Sequence, residues 1–234
     1  MNNLLTLKAF LRCVTGGLLI LGGVWALSGC GHTDTSPGRG ESEVLHGDTL
    51  VMPFINMAEV FGSNTSVRGP VSSTIFVTGP VAKDAALYLS NELYRLLGQE
   101  KRIKWGTQQD VQDATPFETS DLRHSHIAQL QALGRRNGAE NVMVGYLYAF
   151  RDREGGDYGV DKPSQVALEM ALLNTATGRI IWQRTFKETQ KSLSEDLLQL
   201  KTFIKRKGRW VSAKEMASSA LKEILKTAPR FPVQ

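Results

Sequence analysis

Cys30 is one of two cysteines in the 234-residue chain, and its surroundings point to chemistry at its sulfur. It follows Ser28 and Gly29, two small side chains of the kind that a peptidase pocket accepts, and the residues before it include two basic and no acidic side chains. An apolar run at 13–27 completes the three-part layout of a secretory signal. The alternative is a transmembrane anchor, since the run approaches the roughly 17 to 25 residues that span a bilayer. Four glycines within the run lower its hydrophobicity and favour the signal.

The segment Leu27-Ser28-Gly29-Cys30 resembles the lipobox of bacterial lipoproteins. The resemblance implies cleavage between Gly29 and Cys30 and a diacylglycerol group on the Cys30 sulfur. Buried acyl methylenes contribute about 0.8 kcal/mol each, so such a group holds a domain at the membrane. Gly31, in place of Asp, is typical of lipoproteins sorted to the outer membrane. The resemblance therefore implies an outer-membrane anchor with the domain facing the periplasm.

Removal of the signal also shapes the mature chain. Residues 1–29 include Cys13 and two basic residues, so 205 residues with a net charge of +3 remain and no disulfide is available. That length suffices for one sizeable core, and that charge is too small to indicate nucleic-acid binding. The Gly- and Ser-rich stretch 31–47 has no apolar period. We predict a signal at 1–29, a lipidated tether at 30–47 and one domain at 48–234.

Other residues that could do chemistry do not complete a site. His124 and His126 are two residues apart on a predicted helix, so they point to different faces, and no Cys or acidic cluster joins them. The acidic residues of loop 151–163 depart from the EF-hand spacing and alternate with basic residues. A Gly-x-Ser-x-Gly elbow and phosphate-binding glycine loops are absent from the sequence. We predict no catalytic residue, no metal and no cofactor apart from the covalent lipid on Cys30.

A basic run formed by Lys205, Arg206, Lys207 and Arg209 precedes Trp210. Contact with anionic lipid headgroups would contribute roughly 1 kcal/mol per charge near the membrane surface. The alternative, which we favour, is a solvated turn between two helices with Trp210 packed inward.

The hydrophobic pattern predicts an α/β fold, a single domain with a mixed β-sheet flanked by helices. The predicted elements are a strand at 49–55 with Pro53 at an edge or a strand end, a short strand or flap at 72–78, a helix at 80–97, a strand at 103–105, a loop at 107–119, a helix from Ser120 to Gly138, a strand at 141–150, a hairpin at 166–186, and two C-terminal helices behind capping boxes at 192–195 and 212–215.

The strand at 141–150 is apolar on both faces, which predicts a central position in the sheet. On one face the pattern places Val142, Val144, Tyr146, Tyr148 and Phe150.

The hairpin that follows turns at Gly178. Its first predicted face carries Ile180, Trp182 and Phe186 together with the alternate apolar residues of 166–172, and the second carries Ala167, Glu169, Gln183 and Thr185. The second face is more polar, so we predict that the hairpin lies towards the exposed side of the sheet.

Two patches resemble a group of periplasmic α/β lipoprotein domains. They are LGRRNGAENVMVG at 133–145 and LLNTATGRIIW at 172–182. The group comprises the curli-export lipoproteins, the penicillin-binding-protein activator lipoproteins and the N-terminal domain of the Tol translocation protein. The resemblance implies a mixed sheet flanked by helices.

These observations favour a non-enzymatic, lipid-anchored protein that binds or assembles with other envelope proteins, such as peptidoglycan-synthesis proteins or further copies of itself. The alternative is a subunit of an oligomeric export channel resembling the curli pore, with 72–78 or 151–163 as an amphipathic membrane segment. Such a strand needs roughly 9 to 11 residues. A periplasmic hydrolase is the third hypothesis.

Overall fold

The computed structural model describes residues 45–98, 100–115, 122–154, 162–189 and 211–230, all within one compact unit, Gly40–Gln234. The signal, Gly29, Cys30, most of the tether, the first C-terminal helix and the basic run from Lys205 to Arg209 lie outside the described residues. The predictions made for them, and the domain boundaries, stay predictions.

The elements alternate between strands and helices, with a long antiparallel hairpin near the end. In chain order they are β1 (Thr49–Val51), β2 (Ile55–Asn56), α1 (Met57–Phe61), β3 (Ser66–Arg68), β4 (Ile75–Val77), α2 (Ala85–Leu97), β5 (Ile103–Trp105), α3 (Gln108–Ala114), α4 (Leu122–Arg136), β6 (Asn141–Arg151), β7 (Gln165–Asn174), β8 (Ile180–Thr189) and α5 (Ala213–Leu225).

The main sheet has the order β5-β1-β6-β7-β8, and β2 also pairs with β6. Strands β5, β1 and β6 are parallel, whereas β7 and β8 are antiparallel to their neighbours. The mixed sheet predicted from the sequence is confirmed, and β6 lies at its centre. Pro53 lies between β1 and β2, as expected for a strand end, but β1 is not an edge strand because β5 and β6 flank it.

Helices and the small β3–β4 hairpin cover the two faces of this sheet. Helices α2 and α5 pack on one face, where Leu89, Leu93 and Leu221 are buried. On the other face, helices α3 and α4 and the hairpin enclose a second core that includes Leu130 and Tyr146. The fold is therefore a mixed sheet flanked by helices, as predicted.

Helix α2 begins later than the predicted residue 80. The segment from Gly79 to Ala82 instead runs beside the end of β6, where Phe150 N donates to Pro80 O at 2.9 Å and Ala82 N donates to Phe150 O at 3.1 Å. This segment lies along the same edge of β6 with which β1 and β2 pair earlier in that strand. Gly98 ends the helix with a φ of 67°, as its sequence position indicated.

A bulge at Tyr148 changes which side chains share a face. Leu147 pairs with Leu168, but Ala149 pairs with the next residue, Ala167, so Tyr148 is the extra residue on β6. Phe150 consequently packs on the α2–α5 side, and Tyr148 stays on the α4 side. The prediction that Phe150 shares a face with Tyr148 is wrong.

A second bulge near the start of β8 separates Ile180 from Trp182. Leu172 pairs with Trp182 and Leu173 pairs with Ile180, which leaves Ile181 as the additional residue. Ile180 therefore packs with the α4-side core, whereas Trp182 is buried with α2 and α5. The prediction that Ile180 and Trp182 share a face is therefore wrong, again because a bulge adds one residue to the strand.

The predicted loop at 107–119 contains a helix, α3, instead. Thr107 accepts a hydrogen bond from Asp110 N, and the Asp110 side chain accepts one from Thr107 N, which is a reciprocal cap with Asp in the third position. Arg136 of α4 donates to Asp110 and to Asp113, both at 2.7 Å, and so connects α4 to α3.

Candidate functional site

The β3–β4 hairpin forms a two-stranded sheet of its own beside the α4-side core. Its side chains alternate: Val67 and Phe76 are buried, while Arg68, Ile75 and Val77 point outward. Ile75 is 61% exposed and Val77 is 46% exposed. One face of the hairpin is thus part of the core, and the other presents two aliphatic side chains to solvent.

Hydrogen bonds to main-chain carbonyl groups secure the root of the hairpin. Thr78 N donates to Thr65 O at 2.9 Å, and the Thr78 hydroxyl donates to Gly62 O at 2.6 Å. Gly79 N then donates to the carbonyl of Tyr148, the bulge residue, at 2.8 Å. The root is therefore connected to the central strand through the backbone.

Phe76 fixes the middle of the hairpin by lying on Tyr148. The ring centroids are 3.8 Å apart, and the ring planes differ by 2°. Both residues are almost completely buried. Tyr148 therefore provides the surface on which Phe76 packs.

Glu169 of β7 fastens the tip of the hairpin. One carboxylate oxygen accepts a hydrogen bond from Ser72 N at 2.6 Å, and the other accepts one from the Tyr148 hydroxyl at 3.0 Å. Glu169 is fully buried. Gly69 leaves room for it, because a Cβ at that position would lie 2.4 Å from a Glu169 oxygen.

The burial of Glu169 corrects, for β7, the prediction that the hairpin β7–β8 lies towards the exposed side of the sheet. Ala167 and Glu169 on β7 are buried beneath the elements of the α4 side, whereas Gln183 and Thr185 on β8 are exposed as predicted. The signal that could have revealed Glu169 is the presence of Tyr146 and Tyr148 on a buried strand, since buried hydroxyl groups require hydrogen-bonding partners.

A second buried pair lies beside this carboxylate. Tyr146 is directly opposite Glu169 in the β6–β7 register, and its hydroxyl is hydrogen-bonded to Nε2 of His126 on α4. Nδ1 of His126 has no hydrogen-bond partner among the described residues. His124 is exposed, so the two histidines point to different sides of the helix as predicted.

The protonation states of this cluster follow from its burial. Desolvation lowers the pKa of His126 to about 4, so the imidazole is neutral near pH 7. Desolvation and then the charge of Glu169 raise the pKa of Tyr146 and of Tyr148 well above 10. Both tyrosines are therefore protonated, and Tyr148 can donate to the carboxylate.

This arrangement suits structural attachment better than catalysis. Four side chains of the cluster have no solvent exposure, so a substrate has no access to them in this conformation: His126, Tyr146, Tyr148 and Glu169. Within the described ranges, no group of three or more metal-ligating side chains comes together. No helix among those same residues is long and apolar enough to cross a membrane.

The acidic loop after β6 is described only at its two ends. Asp152 accepts a hydrogen bond from Ala213 N at 2.6 Å, next to the start of α5. Glu154 pairs with Lys162 at 2.7 Å. Both carboxylates thus make contacts within the fold, and residues 155–161 lie outside the described part.

No family model matches the chain, and neither does any curated protein. Similar solved structures include a PelC dodecamer from Paraburkholderia phytofirmans, with 13% identity, coverage of 82% of this chain and 94% of that chain, and a TM-score of 0.46. Lipoprotein GNA1162 from Neisseria meningitidis has 11% identity, coverage of 69% and 98%, and a TM-score of 0.35. The LpoB C-terminal domain from Escherichia coli has 17% identity, coverage of 67% and 90%, and a TM-score of 0.32.

One of the expected lipoprotein groups, the penicillin-binding-protein activators, is represented among these neighbours by LpoB. The likenesses are distant, with TM-scores below 0.5, and we assign no function from them.

Proposed function

We propose that this chain is a lipid-anchored protein of the outer membrane whose α/β domain faces the periplasm and binds other envelope proteins without catalysing a reaction. The anchor in this proposal is Cys30, for the reasons given by the sequence. The observation that supports binding is the pair Ile75 and Val77 on the outer face of the β3–β4 hairpin.

These two side chains form a local apolar surface that the hairpin holds in place. They are two residues apart on β4 and therefore project to the same side. Arg68 and Ser66 lie opposite them on β3, so polar groups flank the aliphatic pair. Protein interfaces combine an apolar centre with a polar rim in which Arg is common. The hairpin therefore has the chemistry of a small protein-docking surface.

The other large, exposed apolar residues of the described chain stand on different elements. Leu87 lies on α2 and Trp105 on β5, with 64% and 41% exposure. Isolated apolar residues at a surface are ordinary and indicate no partner. Since α2 packs on the opposite face of the sheet, Leu87 provides a matched control of similar exposure.

Photo-crosslinking in living cells tests this function. A photoreactive residue would replace Ile75, Val77 or Leu87, one at a time, in the full-length chain with Cys30 intact. We expect crosslinks to a specific envelope protein from positions 75 and 77 and none from position 87. An absence of crosslinks at 75 and 77, or the same products from all three positions, would contradict the proposed docking surface.

The alternative function, a subunit of an export channel, would require the hairpin to supply a membrane-spanning strand. A membrane strand needs roughly 9 to 11 residues, whereas β3 and β4 have three each, and Phe76 in the middle of β4 is buried on Tyr148. The hairpin would have to rearrange to serve as a membrane segment. Its present geometry favours docking.

A further inference from the structure

We propose that the β3–β4 hairpin is a flap that opens as a unit, and that Glu169 is the latch that holds its tip against the sheet. Opening would move the hairpin away from β6 and β7 while the main sheet stays folded. The inference builds on the proposed function, because the flap carries Ile75 and Val77. It adds a conformational control over how that surface is presented.

The hairpin is separate from the main sheet. Its two strands pair only with each other in the described structure. A two-stranded hairpin with three residues per strand is not stable alone in water. Its folded position therefore depends on contacts with the body of the domain, and loss of those contacts releases the hairpin without breaking the strand pairs of the sheet.

The root and the tip of the hairpin are held differently. The root continues into the chain that runs along β6, where Gly79 N donates to Tyr148 O. The tip is held through the side chain of Glu169, which accepts from Ser72 N, and through Val71, which is fully buried in the α4-side core. A root tied to β6 by a main-chain bond and a tip tied to the sheet by side chains are the parts of a hinge and a latch.

The backbone conformations at the root and at the tip are consistent with a hinge and a latch. Gly62 and Asn64 near the root have φ values of 80° and 60°, and Ser73 at the tip has a φ of 62°. Non-glycine residues in the left-handed region are uncommon and concentrate in turns. Asn64 and Ser73 thus mark the two tight turns between which the strands lie.

Glu169 bridges the hairpin and the main sheet. One of its oxygens contacts Tyr148 of the sheet, and the other contacts the hairpin backbone. An apolar residue of the same size could fill the space, and burying a carboxylate is costly. The carboxylate stabilises the closed position of the hairpin in particular, because its hydrogen bond from Ser72 N forms only when the hairpin is closed.

Hydrogen exchange of the full-length protein in detergent tests the latch. Amide exchange reports local opening separately from global unfolding. In Glu169→Gln, we expect the amides of 66–77 to exchange roughly tenfold faster, because Ser72 N then donates to a neutral amide oxygen, which is a weaker acceptor than a carboxylate. We expect the amides of β6 and β7 to keep their protection.

A matched control is Asp152→Asn. Asp152 also accepts a backbone hydrogen bond at 2.6 Å, from Ala213 at the start of α5. This variant should leave exchange of 66–77 unchanged. If Glu169→Gln does not fold, Tyr148→Phe replaces it in the same experiment, since it removes the hydroxyl that holds the carboxylate and keeps the ring beneath Phe76. We expect faster exchange confined to 66–77 in that variant too.

Two results would overturn the latch. One is unchanged exchange of 66–77 in the Glu169 variant or its replacement, and the other is an equal rise in exchange across the hairpin, β6 and β7. The experiment needs no partner, so its outcome is independent of the crosslinking result. Faster hairpin exchange without crosslinks would contradict the docking function and leave the latch standing.

Discussion

Phe76 lies flat on Tyr148, with 3.8 Å between the ring centroids and 2° between the ring planes. The contact joins the separate β3–β4 hairpin to the bulge of the central strand. The same tyrosine donates its hydroxyl to Glu169. Tyr148 therefore stands at the junction of the hairpin, the central strand and the buried carboxylate.

Replacing Phe76 with Ala should reduce the free energy of unfolding by about 3 kcal/mol or more, because a fully buried aromatic ring is removed. Phe76→Leu should cost less, since it retains most of the buried apolar area. Urea unfolding followed by circular dichroism measures both losses.

Ile75→Ala provides the control for that experiment. Ile75 is the neighbour of Phe76 but points to solvent, so we expect a change within about 0.5 kcal/mol. Equal losses at positions 75 and 76 would contradict the alternation of buried and exposed residues in β4.

His126 should make the domain sensitive to acid. Desolvation lowers its pKa to about 4, below the ordinary value of 6.5, so the unfolded chain binds the proton more readily than the folded chain. The contribution of the neutral His126 side chain to the free energy of unfolding is fully present above pH 6.5 and is lost as the pH falls towards 4. At pH 4.5 the loss amounts to roughly 2 to 3 kcal/mol.

Urea unfolding of the wild type and of His126→Gln at pH 7 and pH 4.5 isolates this effect. Both proteins carry the same other titrating groups, so the difference between their losses reports on the imidazole. We expect the variant to lose about 2 to 3 kcal/mol less between the two pH values. Equal losses would show that His126 does not titrate with a lowered pKa.

Asp110 should stabilise the α3–α4 corner in its ionised form. Burial alone would raise the pKa of Asp110, but hydrogen bonds from Thr107, Arg136 and Asn137 lower it to about 2. Its contribution is therefore present above the ordinary pKa of 3.8 and is lost as the pH falls towards 2. We expect Asp110→Asn to reduce the free energy of unfolding by about 1 to 2 kcal/mol at pH 7.

Denaturant unfolding of the wild type and of Asp110→Asn at pH 7 and pH 3 measures this contribution. The difference between wild type and variant should shrink at pH 3, because Asp110 of the unfolded wild-type chain then binds a proton while the folded carboxylate stays mostly ionised. A difference that stays the same at both pH values would contradict the lowered pKa.

The sequence was informative where the hydrophobic period is regular. The apolar run from 141 to 150 predicted a central strand, and β6 is that strand. Gly98, Gly138 and Gly178 marked the ends of two helices and a turn, and each has a positive φ. In these places the local pattern and the tertiary structure require the same residue.

The prediction failed where one extra residue or one polar contact decides the geometry. A strict two-residue period cannot reveal the bulge at Tyr148, so Phe150 was placed on the wrong face. The cap of α3 uses Asp110 where the usual pattern has Glu or Gln, so the sequence pattern predicts a loop in place of this helix. Glu169 looked like a surface residue, because its partners Ser72 and Tyr148 are distant in the sequence.

Mass spectrometry of the N-terminal peptide tests the lipid anchor at Cys30 most directly. The full-length protein would be purified with detergent from cells of the native host. We expect a mature chain that begins at Cys30, with acyl chains attached to that residue. A chain that retains residues 1–29, or that begins at an unmodified Cys30, would contradict the lipid anchor.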